Sequence, residues 1–169
     1  MYLHPNDKFR ALIKKYAGPE ILTIVSAVEP GDRIEATGAV KDKEGHPLRN
    51  ALIYFYQTDD QGHYGMKTTH VPGNEGDRRH ARLFGYLLSD KNGRFVLNTI
   101  HPRGYPGSEL PAHIHCEVFV NVSMVKITEL LFDEDPRLTP EQRSRSLGEG
   151  FIIAKKDRDR YEYELVVEQ

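Results

Sequence analysis

Residues 104–120 read GYPGSELPAHIHCEVFV. The stretch opens as a turn, because Gly104, Pro106 and Gly107 suit a chain reversal. It continues as a strand from His113 to Val120, led in by Pro111. On a strand, side chains at i and i+2 leave on one face, so His113 and His115 come within reach of a single ion. Cys116 turns the other way and reads as a small buried core residue. Tyr105 lies eight residues before His113, in a turn that can fold its ring back over the strand's end. Either this is a strand with ordinary surface histidines, or it is most of a metal site.

The flanking sequence is strand and turn. Residues 34–41 alternate loosely, DKEGHP (42–47) is a turn, and ALIYFYQ (51–57) is rich in β-branched and aromatic residues. RLFGYLLSD (82–90), KNG and RFVLNTI (94–100) read as a hairpin, since Asn92-Gly93 suits a tight connection. MVKITELLF (124–132) and RYEYELVVE (160–168) give further strands. Two short helices are expected. Asp7 to Tyr16 sets Phe9, Leu12, Ile13 and Tyr16 on one face, with Asn6 as cap and Gly18-Pro19 as stop. At 138–147, Thr139 can cap, Pro140 takes the first helical position and Gln142 completes a capping-box pattern. KKDRDR (155–160) reads as a solvated turn. The fold expected is all-β, a sandwich of mostly antiparallel strands with one short N-terminal and one short C-terminal helix. One domain over 1–169 is expected, residues 1–30 forming its N-terminal helix and extension.

Residues 58–80, TDDQGHYGMKTTHVPGNEGDRRH, carry no periodicity, and a polar Gly-bearing loop of that length is more often functional than idle. It contains Tyr64, just beyond the strand at 51–57.

Composition narrows the function classes. A net charge of −2 argues against non-specific nucleic-acid binding. No apolar run approaches the roughly 20 residues of a membrane span. The first 18 residues have neither an apolar signal core nor a cleavage site, so a cytoplasmic location is expected. A single cysteine excludes an internal disulfide and any thiolate zinc site, so a metal here must be held by His, Tyr or carboxylate.

Four ordered blocks between about residues 35 and 140 give the chain a resemblance. GAVKDKEGHPLRNALIYFYQTDDQGHYG ends in a Gly-x-Tyr, GYLLSDKNGRFVLNTIHPRGYP ends in a Tyr-Pro turn, and LPAHIHCEVF holds a Pro-Ala-His-x-His strand. ITELLFDEDPRL adds a strand and an acidic turn. In this order they resemble the intradiol ring-cleavage dioxygenases of the catechol and protocatechuate type. The resemblance implies a non-haem ferric ion, Fe(3+), held by Tyr64, Tyr105, His113 and His115. Such an ion is hard and favours anionic oxygen, and its charge brings phenols ionising near pH 10 into the phenolate form. The implied reaction binds a small catecholic substrate through both oxygens. Tyr105, by motif position, leaves the metal and takes a substrate proton. O2 then cleaves the ring between its two hydroxyl-bearing carbons to a cis,cis-muconate-type diacid.

The chain departs from the family pattern at three positions. Leu110 stands where an arginine usually precedes Pro-Ala-His-x-His, Glu129 where a glutamine usually faces the iron, and Tyr56 where a tryptophan is frequent. A leucine offers none of the guanidinium's fork of donors. A carboxylate at 129 either repels a dianionic substrate or serves as a base, which makes Glu129 a candidate catalytic residue. Arg103, two residues before Tyr105, could supply the missing charge, or could be a solvated turn arginine. Tyr56, His101 and Arg103 are the candidate substrate-binding residues, together with the 58–80 loop. The helix at 7–16 is too small to replace the N-terminal helical region by which catechol-type members dimerise, so a homo-oligomer stays open. Two alternatives remain: a ferric protein of the same fold with altered or lost chemistry, and a transthyretin-like binding module, whose opening GxVxDxxGxPxxxA pattern is the same.

Overall fold

The structure is a computed structural model that describes residues 6–65, 81–121 and 123–168. Among the described residues, ten strands form two five-stranded sheets. In the first, β1 (Ile21–Thr23), β5 (Arg94–Ile100), β2 (Arg33–Asp42), β10 (Arg160–Val167) and β9 (Lys155–Asp157) lie side by side in that order. In the second the order is β4 (Leu83–Leu88), β3 (Leu52–Gln57), β6 (His113–Val120), β7 (Ser123–Leu131) and β8 (Ile152–Ile153). The all-β sandwich expected from the sequence is therefore what forms. Pairing is antiparallel except for β1 with β5, β10 with β2 and β7 with β8.

Alternation decides which face is buried. In β10, Tyr161, Tyr163, Leu165 and Val167 turn inward while Arg160, Glu162 and Glu164 face solvent. They meet Ile53 and Phe55 of β3 and Ile114, Cys116 and Val118 of β6 in a single core between the sheets. Cys116 is fully buried there, as expected. β3 is buried at all six positions, so both its faces are covered. Its second face, with Leu52, Tyr54 and Tyr56, belongs to an outer cluster that also holds Tyr64, Tyr105 and Phe119. The candidate ligands sit in this outer cluster.

Among the described residues, two helices complete the fold. α1 (Asp7–Tyr16) has the predicted bounds, and Asn6 accepts hydrogen bonds from the backbone of Lys8 and Phe9. It lies against the outer cluster through Ile13, followed by Ala17. Leu12 and Tyr16, expected on the packed face, are 52% and 72% exposed, because the contact is a narrow line rather than a broad stripe. α2 (Pro140–Gly148) is capped by the Thr139 hydroxyl, which accepts from the Gln142 amide.

The expected hairpin at 82–100 is a correction. The Asp90–Gly93 turn exists, with Gly93 N donating to Asp90 O and the Asp90 carboxylate accepting from the Asn92 and Arg94 amides. Its two arms nevertheless join different sheets, β4 pairing with β3 and β5 with β2. Gly93, at φ +72°, lies against the β2 backbone and accepts from the Val40 amide, which draws the chain across the sandwich. Turn chemistry alone cannot distinguish a hairpin from such a crossing. Residues 66–80 of the expected functional loop lie outside the described residues.

Candidate metal centre

His113 and His115 leave β6 on its outer face, next to the outer aromatic cluster. Tyr105 is brought over them by the turn after Gly104, closed where Ser108 N donates to Tyr105 O and where Gly107 takes φ +72°. Tyr64 arrives from a different loop. Asp59 organises that loop by accepting from the amides of Gln61 and His63, while Gly62 N donates to Asp59 O. Gly62, at φ +85°, lets the Tyr64 loop lie directly on the Tyr105 turn, since a Cβ there would stand 2.6 Å from the Gly104 carbonyl oxygen. Thr58 Oγ1 donates to Arg103 O and Arg103 N donates to Asp59 O, which stitches the two loops together.

Four donor atoms converge as a result. Tyr64 Oη lies 2.5 Å from Tyr105 Oη and 2.7 Å from His115 Nε2. Tyr105 Oη lies 2.9 Å from His113 Nε2 and 3.2 Å from His115 Nε2. The two Nε2 atoms face each other at 3.2 Å. Three of the four residues are buried, Tyr64 at 4%, Tyr105 at 5% and His113 at 6% exposure. The other ring nitrogens are engaged elsewhere. His113 Nδ1 lies 2.8 Å from the Pro111 carbonyl oxygen, which can only accept, so Nδ1 carries the proton and Nε2 presents its lone pair to the cluster. His115 Nδ1 faces Glu129 Oε1 at 3.7 Å across the β6–β7 register pair. Its ring stacks on Tyr56 at 4.3 Å, inclined by 10°.

The donor set suits a cation. The His113 Nε2 lone pair and the His115 Nε2 atom face one point, and two phenols can supply anionic oxygen to it. No cationic side chain is among the four. Donor-to-donor spacings of 2.5–3.2 Å surround a point that lies within ligand reach of each atom. His113, His115 and Glu129 also offer ligand atoms within 4.8 Å of one another. A second such group, Asp42, Glu44 and His46, is a solvent-side turn in which Asp42 already accepts from the His46 amide and lies against its ring.

The remaining expected site residues divide. Tyr56 is buried against His115, and Glu129 stands on the Nδ1 side of both histidines. Leu110 is 44% exposed and lines a narrow cleft with His113, Glu129 and Arg145 of α2. His101 and Arg103 are not gathered with the tetrad. His101 packs on Phe132 and Tyr161 of the inter-sheet core, its ring 4.1 Å from that of Phe132. Arg103 is exposed, and both line an open groove of about 470 Å³ to which none of the four tetrad residues contributes. The physical reason is direction. The chain leaving β5 is still facing the sandwich interior, and it reaches the outer side only beyond Gly104. Sequence reasoning missed Arg82, Glu29 and Asp59, which meet beside Tyr64, and Arg145. No spacing signal marks them, because their contacts join segments far apart in the chain.

Comparison with known proteins follows the same geometry. A protein-family model described as Dioxygenase matches residues 15–165. A chlorocatechol 1,2-dioxygenase of Rhodococcus opacus is 28% identical over 158 residues, covering 83% of this chain and 59% of that protein. The protocatechuate 3,4-dioxygenase beta chain of Burkholderia cepacia is 29% identical over 160 residues, covering 81% and 65%. The chain thus spans about three fifths of the length of these relatives. Among solved structures, the dioxygenase domain of a carbohydrate-binding fusion protein from Streptomyces sp. SirexAA-E superposes with a TM-score of 0.64 at 24% identity, over 90% of this chain and 88% of that one. An intradiol ring-cleavage dioxygenase from Tetranychus urticae gives a TM-score of 0.67 at 21% identity, over 89% and 87%. At these identities the two structures speak for the fold.

Proposed function

Because the chain belongs to the intradiol ring-cleavage dioxygenase family, we propose that its tetrad of two phenols and two imidazoles holds a ferric ion. On this reading the protein uses O2 to split a small catecholic ring between the hydroxyl-bearing carbons, giving a cis,cis-muconate-type diacid. The observation that carries the reading is the convergence of Tyr64, Tyr105, His113 and His115 through atoms 2.5–3.2 Å apart. Bound Fe(III) supplies Lewis acidity that makes a chelated catecholate reactive toward O2.

The chain's own residues have distinct tasks. His113 is fixed by the Pro111 carbonyl and His115 by stacking on Tyr56, so both rings are held with Nε2 toward the phenols. Tyr64 sits on a loop held by several side-chain bonds and serves as the permanent anionic oxygen. Tyr105 sits in a turn ending at Gly107 and is the oxygen that accepts a proton from the incoming catechol. Tyr56 supplies an aromatic wall. Glu129 lies on the Nδ1 side of the imidazoles, its carboxylate 3.7 Å from His115 Nδ1.

The test is aerobic loading with ferric ion, a visible spectrum, and O2 uptake with a panel of catechols in the same cell. A phenolate-to-iron absorption that shifts on adding a catechol, with O2 consumed, is expected. A protein that takes up no colour overturns the metal centre. A coloured protein that consumes no O2 supports the second reading, an iron protein with lost or altered chemistry. Leu110 and Glu129 favour that reading, since loss of one electrostatic donor costs about 10²–10³-fold in rate.

A further inference from the structure

Tyr64 is the member of the tetrad furthest from the β6 strand in sequence, and its loop must be held in place by something other than the sheet. Arg82 directly precedes β4, meets that loop twice and ties it to Glu29. Its amide donates to Tyr64 O at 2.7 Å. Its guanidinium forms a two-pronged pair with Glu29, Nη1 to Oε2 at 2.6 Å and Nη2 to Oε1 at 2.7 Å. Nη2 also lies 3.4 Å from Asp59 Oδ2, the far oxygen of the carboxylate that folds the Tyr64 loop.

The other partner is equally fixed. Glu29 sits in a segment pinned to the start of β2, where Arg33 Nη2 donates to the carbonyls of Ser26, Ala27 and Glu29. The carboxylate side chains are largely shielded, Glu29 at 8% and Asp59 at 12% exposure, so the pair is screened little by solvent. The hydrogen bond from Arg82 holds the Glu29 carboxyl below its ordinary range, and the contact is intact at neutral pH. A chain of contacts therefore runs from β2 through Glu29 and Arg82 to Asp59 and Tyr64.

We infer that Arg82, gripped by Glu29 and Asp59, is a positioning residue that sets the Tyr64 phenol oxygen against the other three donors. The inference rests on the reading of the tetrad as a ferric centre. Arg82 touches neither ion nor substrate on this account. It restricts the loop so that Tyr64 need not be ordered when the ion arrives, which is where the binding free energy is gained. A bidentate guanidinium does this better than an ammonium, which is a point charge on a flexible stem.

The experiment compares the unsubstituted protein with Arg82→Gln, Arg82→Lys and Glu29→Gln. Each is loaded with ferric ion, and the phenolate absorption band, the rate of ferric release to a competing chelator and the melting temperature of the metal-free form are recorded. Arg82→Gln is expected to release iron about 10- to 100-fold faster with a displaced band. Arg82→Lys is expected to recover part of both, with metal-free melting temperatures close to that of the parent. Glu29→Gln is expected to lie between, and it decides the matter alone should Arg82→Gln not fold. Unchanged band and release rate in the variants overturn the inference while leaving the ferric centre standing, as does iron loss that merely tracks a lowered melting temperature. A colourless unsubstituted protein overturns the ferric centre and this inference with it.

Discussion

Gly62 shows how much of the centre depends on one missing side chain. It takes φ +85°, and any Cβ would stand 2.6 Å from the Gly104 carbonyl oxygen and 3.0 Å from Pro106 Cδ. Both neighbours belong to the turn that carries Tyr105. Gly62→Ala is therefore expected to destabilise the protein by about 1–3 kcal/mol, read from denaturant unfolding. It should also weaken the phenolate absorption of the loaded protein, because the two tyrosine loops must separate. The convergence of Tyr64, Tyr105, His113 and His115 was foreshadowed because each lies in a short motif with its own spacing. Tyr56 was legible as a neighbour of the site, but its packing against His115 follows from β3–β6 register, which no linear spacing encodes. Arg103 is two residues from Tyr105 in sequence, yet it lines the open groove while Tyr105 lies in the outer cluster.

At the scale of elements, boundaries marked by capping chemistry were readable and partners were not. Asn6 and Thr139 both cap the helices they were expected to cap. α2 matters to the centre because it places Gln142 and Arg145 on the cleft behind His113 and Glu129. Thr139→Ala removes the acceptor for the Gln142 amide and is expected to cost about 1 kcal/mol in chemical unfolding. The strands 83–88 and 94–100 show the limit. Each has the composition of a strand and the turn between them has hairpin chemistry. Their allocation to two sheets is decided by β2 and β3, which compete for them from opposite layers. β1, β8 and β9, of two or three residues each, carry too little pattern to register in sequence.

For the whole molecule, the candidate site gathers residues from a loop, a turn and a strand, so any ion held there would couple its binding to folding. A ligand present at about 100 times its dissociation constant adds roughly 2.7 kcal/mol to stability. For a chain of this size that corresponds to a melting temperature about 5–10 °C higher in the iron-loaded protein, lost on chelation and recovered on reloading, as calorimetry would show. An equal melting temperature with and without ferric ion would mean that the tetrad is preformed by the clamp and the sheet but does not hold the metal.

The parallel register of β10 on β2 has a consequence during synthesis. Lys41 and Glu164, joined across that register, are 123 residues apart. At about 5–20 residues per second the ribosome reaches β10 roughly 6–25 seconds after β2 has been made. Until then β2 lacks its β10 neighbour, and an edge in the middle of its sheet stays unpaired. The slower the synthesis, the longer that edge stays open to pairing with another chain.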